Sequence, residues 1–134
     1  MESTLTSKIS LNDQLKERAD YFRSRIMIRD ESINLNDLEN IKFLGKGNFA
    51  FVNLVRCKKN KCLYAIKAFP VKKVIQDDMY DLILNERNLL RRLDHEFIMK
   101  SVNSFKNEEF AFILNEYIRG KTLGKILKEF LYQL

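Results

Sequence analysis

Tryptophan is absent from this 134-residue sequence, proline and histidine each occur once, cysteine twice and glycine four times. Two cysteines are too few for a disulfide scaffold. A single histidine leaves no His/Cys cluster with zinc-ligand spacing, so no metal site is expected from these residues. The scarcity of glycine and proline excludes a low-complexity chain. No apolar run approaches the ~18 residues that span a membrane, and the N-terminus is polar, without the apolar centre of a signal peptide. These absences predict a soluble, cytoplasmic protein. Cys57 and Cys62 flank the turn at 58–61 and are expected as free thiols.

What is present is an ordinary mixture of apolar and charged residues, enough for one modest core. The net charge is +6, from 24 Lys and Arg against 18 Asp and Glu. The basic residues are scattered over 23–29, 56–61, 72–73 and 87–92. Nucleic-acid binding calls for bases clustered on one face with aromatics between them. That arrangement is missing, and the charges read as solvated faces.

Residues 1–36 read as a leader and linker. Ser10 is placed to cap a helix through about Arg25, with Asp13 as a weaker capping-box partner. Leu11, Leu15, Ala19, Phe22 and Ile26 fall near helical spacing, and residues 30–36 are polar, as in a linker. A separate domain is expected from 37 to 134.

The most informative stretch is 41–67, IKFLGKGNFAFVNLVRCKKNKCLYAIK. It reads strand, glycine turn, strand, turn, strand. Gly45 and Gly47 occupy the first turn, where the lack of a Cβ lets backbone N–H groups approach phosphate oxygens. Alternation along the third strand points Ala65 and Lys67 the same way, leaving room for a flat ligand beside a cation. Pro70 ends the strand.

A helix is predicted over 77–93, with Asp77 and Asp78 at its positive end and Arg91 and Arg92 at its negative end. Its apolar stripe is Met79, Leu82, Ile83, Leu89, Leu90 and Leu93. Glu86 falls within that stripe. It is either a boundary carboxylate reaching solvent or the partner of Lys67, since an unpaired buried charge is costly. Strands follow at 102–105 and 110–114, then a connector at 116–120. Thr122 is placed to cap a last helix with an apolar stripe of Leu123, Ile126, Leu127, Phe130, Leu131 and Leu134. The class is α+β.

Gly45-x-Gly47 alone is a weak signal. It is no dinucleotide-binding fingerprint, because a strand follows it, and no Walker loop, because no Gly-Lys-Ser/Thr closes it. The ordered set is specific. GKGNFAFV at 45–52 precedes Tyr64-Ala65-Ile66-Lys67, and Glu86 lies 19 residues beyond Lys67 (86 − 67). His95-Glu96-Phe97-Ile98 and then Glu116-Tyr117 follow. From about Asp37 to Leu134 this order resembles the small lobe of a eukaryotic Ser/Thr protein kinase. The resemblance is to the AGC group and its cGMP-dependent branch.

The resemblance implies a kinase N-terminal lobe: a five-stranded antiparallel sheet with an αC helix, a hinge and the first helix of the large lobe. It implies ATP as ligand, with Gly45, Gly47 and the backbone of Lys46, Asn48, Phe49 and Ala50 over its phosphates and Leu44 at the start of that loop. Val52 and Ala65 would sandwich the adenine. Lys67, held by Glu86, would contact the phosphates. Glu116 and Ile118 would offer backbone groups to the base, with Asn115 behind it. Mg2+ is expected for the family.

Several residues depart from the family pattern. Ala50 replaces a glycine, Glu96 a proline and Ser101 an apolar residue beside Leu90, while Asn115 and Thr122 also differ. The sequence contains no His-Arg-Asp and no Asp-Phe-Gly, so the ligands of Mg2+ and the groups that meet the Ser/Thr substrate of the missing large lobe are absent. These 134 residues alone are expected to be inactive. A non-catalytic kinase-like module, binding nucleotide or docking a protein through its apolar stripes, is the alternative.

Overall fold

A computed structural model of the protein describes residues 10–16 and 29–134. A 3-10 turn, Leu35–Asp37, leads into strands β1 (Leu38–Lys46), β2 (Phe51–Cys57) and β3 (Leu63–Pro70). Helices α1 (Val71–Gln76) and α2 (Tyr80–Arg92) follow, then β4 (Ser101–Lys106), β5 (Phe110–Glu116) and α3 (Leu123–Tyr132). The five strands form one antiparallel sheet in the order β1-β2-β3-β5-β4. This is the expected α+β lobe.

The sheet buries apolar residues on both faces. One face carries Val55, Cys57, Tyr64, Ile66, Val102 and Leu114, closed over by Ile33. The other carries Ala50, Phe69 and Ile113, packed against Val74 of α1 and Ile83 of α2. Alternation explains the division. Ile66 and Tyr64 of β3 go to the first face, Phe69 to the second, with Lys67 and Ala65 on that same second face.

Residues 30–36, polar by composition, are not merely a spacer. Ile33 is fully buried in the first core cluster, and its carbonyl accepts from Asn103 Nδ2 at 2.8 Å. Asn34 then caps the 3-10 turn. Its side chain accepts from the Asn36 amide, and its own amide donates to Asp37 Oδ2 at 2.8 Å. That bond and the Lys59 ammonium at 3.0 Å hold the Asp37 carboxyl below its ordinary pKa. Only Ile33 and Leu35 are apolar in this run, too few to set a period, which is why the burial of Ile33 escapes a sequence reading.

The helix predicted over 77–93 is observed as α2, Tyr80–Arg92, and a short helix that the sequence did not signal, α1, precedes it at Val71–Gln76. Asp78 adopts a left-handed φ of 50°, tolerable for aspartate, so α1 stops at Gln76 and α2 begins at Tyr80. Asp77 and Asp78 sit in the turn between, and Asp81 is the acid in the first turn of α2. The apolar stripe divides. Met79 is buried and Ile83 and Leu90 are half-buried, whereas Leu82, Leu89 and Leu93 are exposed. At the N-terminus Ser10 does accept from the Asp13 amide, and residues 11–16 are helical; the rest of the expected leader helix lies outside the described residues. At the other end Thr122 Oγ1 accepts from the Lys125 amide, as expected of a cap.

Two outcomes follow for stability. Ile33→Ala should destabilise the fold by about 2–5 kcal/mol in chemical denaturation, as for other buried aliphatic truncations; a loss within noise would place 30–36 outside the core. Burial pushes the Tyr64 hydroxyl, bonded to Asn60 Nδ2 at 2.8 Å, up to about 12. The unfolded chain therefore loses this proton first, and stability should fall as pH rises from about 10 to about 12. Tyr64→Phe should lessen that alkaline loss in melts across the same range.

Candidate functional site

The strand register assembles the site. Gly45 pairs with Val52, Val52 with Lys67, and Lys67 with Ile113, so one row crosses four strands. The next row runs Leu54, Ala65, Asn115, Ser101. Neighbouring strands lie about 4.8 Å apart, which puts the glycine turn within reach of a lysine side chain two strands away. Val52, Ala65 and Lys67 share one face, as the alternation requires.

α2 supplies the acid. Lys67 Nζ donates to Glu86 Oε1 at 2.8 Å. Of the two readings of Glu86 open to sequence, the structure selects the partnered one. The side chains are 30% and 35% exposed, so the pair is partly solvated and adds little to stability. What it fixes is position: a flexible lysine stem is held with its charge in front of the glycine turn. Phe69, whose ring lies 5.1 Å from the ammonium, flanks it on the same strand.

The turn between β1 and β2 is closed by the Gly47 amide donating to the Ala50 carbonyl at 2.8 Å. Neither Gly45 nor Gly47 has a left-handed φ. A Cβ at Gly45 would meet no protein atom within 4 Å, and one at Gly47 only the Ala50 carbonyl at 3.7 Å. Folding therefore does not demand glycine at either place, and the space beside them is open. Ala50 is buried against Phe69 and Ile113, so its methyl anchors the end of the turn. Leu44, Lys46, Asn48 and Phe49 are exposed around it.

The turn also has a neighbour that sequence reading missed. Lys73 Nζ of α1 donates to the Asn48 carbonyl at 3.1 Å and lies 5.7 Å from the centre of the Phe49 ring. In the sequence Lys73 was one of a basic pair, and nothing marked it as a contact of a turn 25 residues earlier.

At the far end of β5, Asn115 is buried and its Oδ1 has no hydrogen-bond partner. Buried polar atoms rarely stay so. Glu116 is buried on the opposite face, level with Tyr64. Its Oε1 accepts from the Lys100 amide and its own amide donates to the Lys100 carbonyl, both at 2.9 Å. Ile118 is exposed just past the strand. Ser101 is buried, and it lines a crevice together with Leu90. A separate groove of about 320 Å³ lies between α1, α2 and the β4–β5 edge, lined by Val74, Ile83, Arg87, Phe105 and Phe112. Among the described residues no three His, Cys, Asp or Glu side chains are placed to hold a metal ion.

A five-stranded antiparallel lobe, a glycine turn over its first hairpin and a strand lysine paired to a helix glutamate together define a class, and comparison with known proteins agrees. The protein kinase domain family matches residues 38–133, and the chain belongs to that family. Within it, the chain is similar to cyclic-nucleotide-dependent kinases of the AGC group. It is 31% identical over 109 residues to a cGMP-dependent protein kinase of Eimeria tenella, covering 81% of this chain and 11% of that protein. An equal identity and equal coverage relate it to a cGMP-dependent protein kinase of Toxoplasma gondii. It is 30% identical over 119 residues to a cAMP-dependent protein kinase catalytic subunit-like protein of Caenorhabditis elegans, covering 87% of this chain and 30% of that protein.

Because the Lys67–Glu86 pair is partly solvated, Glu86→Gln should change the unfolding free energy by no more than about 1 kcal/mol. A denaturation loss several times larger would make the pair a structural support.

Proposed function

We propose that residues 37–134 are the ATP-binding small lobe of a Ser/Thr protein kinase of the cyclic-nucleotide-dependent type, the part that holds ATP while its γ-phosphoryl passes to a protein hydroxyl. The observation that carries this reading is the 2.8 Å contact of Lys67 with Glu86, in register with the glycine turn. The site fits a nucleotide in two further ways. The open space beside Gly45 and Gly47 admits an atom group that protein does not fill. The orphan Oδ1 of Asn115 is a buried acceptor at the base end of the same face.

Each residue then has a task. The backbone of 45–50 offers N–H groups to phosphate oxygens, since a turn without Cβ atoms at 45 and 47 can be approached closely. Leu44, Val52 and Ala65 give the base apolar surface. Ile118 offers it backbone polarity, and Glu116 its carbonyl. Lys67 neutralises phosphate charge, and Glu86 keeps its head from wandering, so the cost of ordering it is met before ATP arrives. ATP itself supplies the phosphoryl group. These 134 residues contain no His-Arg-Asp and no Asp-Phe-Gly, so no residue here is given the task of binding Mg2+, accepting the hydroxyl proton or recognising the protein substrate. Free thiols at Cys57 and Cys62 suit a reducing, cytoplasmic setting, and no described helix is long and apolar enough to cross a membrane.

A second reading is a kinase-like module that docks a protein without catalysis. The feature that favours it is α3, whose Leu123, Ile126, Leu127, Phe130 and Leu131 are all exposed.

Lys67→Met should weaken ATP binding about ten-fold or more in calorimetry, the scale of a lost charge-assisted hydrogen bond. Unchanged affinity would sink the cradle reading. The 134-residue chain should transfer no label from γ-labelled ATP to a basic Ser/Thr peptide; Lys67-dependent labelling would show that these residues suffice for catalysis.

A further inference from the structure

Among the described residues the glycine turn is tied to the rest of the lobe by the burial of Ala50 and by two contacts of one side chain. Ala50, at the end of the turn, is buried in a cluster that includes Phe69, Ile113 and Val74 of α1. Val74 is the neighbour of Lys73, and Lys73 reaches back over the turn. Its ammonium donates to the Asn48 carbonyl at 3.1 Å and sits 5.7 Å from the centre of the Phe49 ring. α1 is itself fixed, because the Val71 amide donates to the Glu109 carbonyl at 2.8 Å. We propose that Lys73 is a positioning residue that latches the tip of the glycine turn to α1 and so holds the phosphate cradle in its ligand-ready shape.

The physical reason is the weakness of the turn on its own. Residues 46–49 are exposed, and the backbone bond from the Gly47 amide to the Ala50 carbonyl closes the base of the turn and not its tip. Glycines at 45 and 47 leave that tip free to swing. An ammonium that bonds a carbonyl and also faces an aromatic ring restrains the backbone at 48 and the side chain at 49 together. One contact needs an N–H donor and the other a cation, so a side chain of similar length with neither cannot replace them. The partners are a neutral carbonyl and a ring, which leaves the latch less exposed to salt than an ion pair between solvated charges.

The latch itself is independent of any ligand; its effect on phosphates rests on the ATP reading above. The test compares wild type, Lys73→Met and Lys73→Arg in the full 134-residue chain, with two readouts. Amide hydrogen exchange on the chain without nucleotide should quicken at 47–50 in Lys73→Met and return to the wild-type rate in Lys73→Arg, which keeps both the donor and the cation. Release of a fluorescent ATP analogue should quicken about three- to ten-fold in Lys73→Met and be restored in Lys73→Arg. Equal melting temperatures would show that the change is local. Exchange at 47–50 that is the same in Lys73→Met and wild type would overturn the latch. So would faster exchange in both variants, while faster exchange in Lys73→Met with unaltered release would overturn the hold of the latch on the phosphate cradle. If wild type binds no nucleotide, the ATP reading fails and the latch stands or falls on exchange alone.

Discussion

A one-residue slip of β2 and β3 would move Lys67 from the face it shares with Val52 and Ala65 to the face of Ile66 and Tyr64. The lobe forbids that slip because both faces are spoken for. Tyr64, Ile66, Val55 and Leu114 fill one core, while Phe69, Ile113 and Ala50 fill the other. Burial thus sets the register, and the register sets the site: Gly45, Val52 and Lys67 fall in one row because apolar residues elsewhere on the same strands have nowhere else to go. The charged pair that matters to chemistry contributes little to the stability that positions it.

That division shapes the helices. α2 brings Glu86 to Lys67 through a packing face of Met79, Ile83 and Leu90. α1 brings Lys73 to the glycine turn through Val74. In both cases an apolar residue on a short helix seats the element, and a polar residue beside it reaches the site. The left-handed φ of Asp78 marks the turn that separates the two helices.

Much of the site was legible because its signals are local or ordered. Two glycines between β-rich segments mark the turn, alternation places Lys67, and a carboxylate inside an apolar stripe asks for a partner. Other features were hidden for definite reasons. Ile33 and Leu35 are two apolar residues in a polar run, too few to show a period, yet the carbonyl and side chain of Ile33 are tied into the core. Leu82, Leu89 and Leu93 have the same helical spacing logic as Met79, Ile83 and Leu90, and periodicity alone cannot say which row faces the sheet. Lys73 resembled any other surface lysine, because the turn it touches is distant along the chain.

The sequence by itself determined the membership of the set: strand residues that alternate, glycines where backbone must be open, a lysine and an acid at kinase spacing. These depend on the chemistry and order of side chains, which a sequence carries directly. Tertiary structure alone decided the partnerships. It selected the paired state of Glu86, the short helix α1 ahead of the expected one, the burial of Asn115 with an unsatisfied Oδ1, and the reach of Lys73 to Asn48. Each of these requires atoms from separate segments to meet, and that meeting is set by how two apolar faces of one twisted sheet are covered.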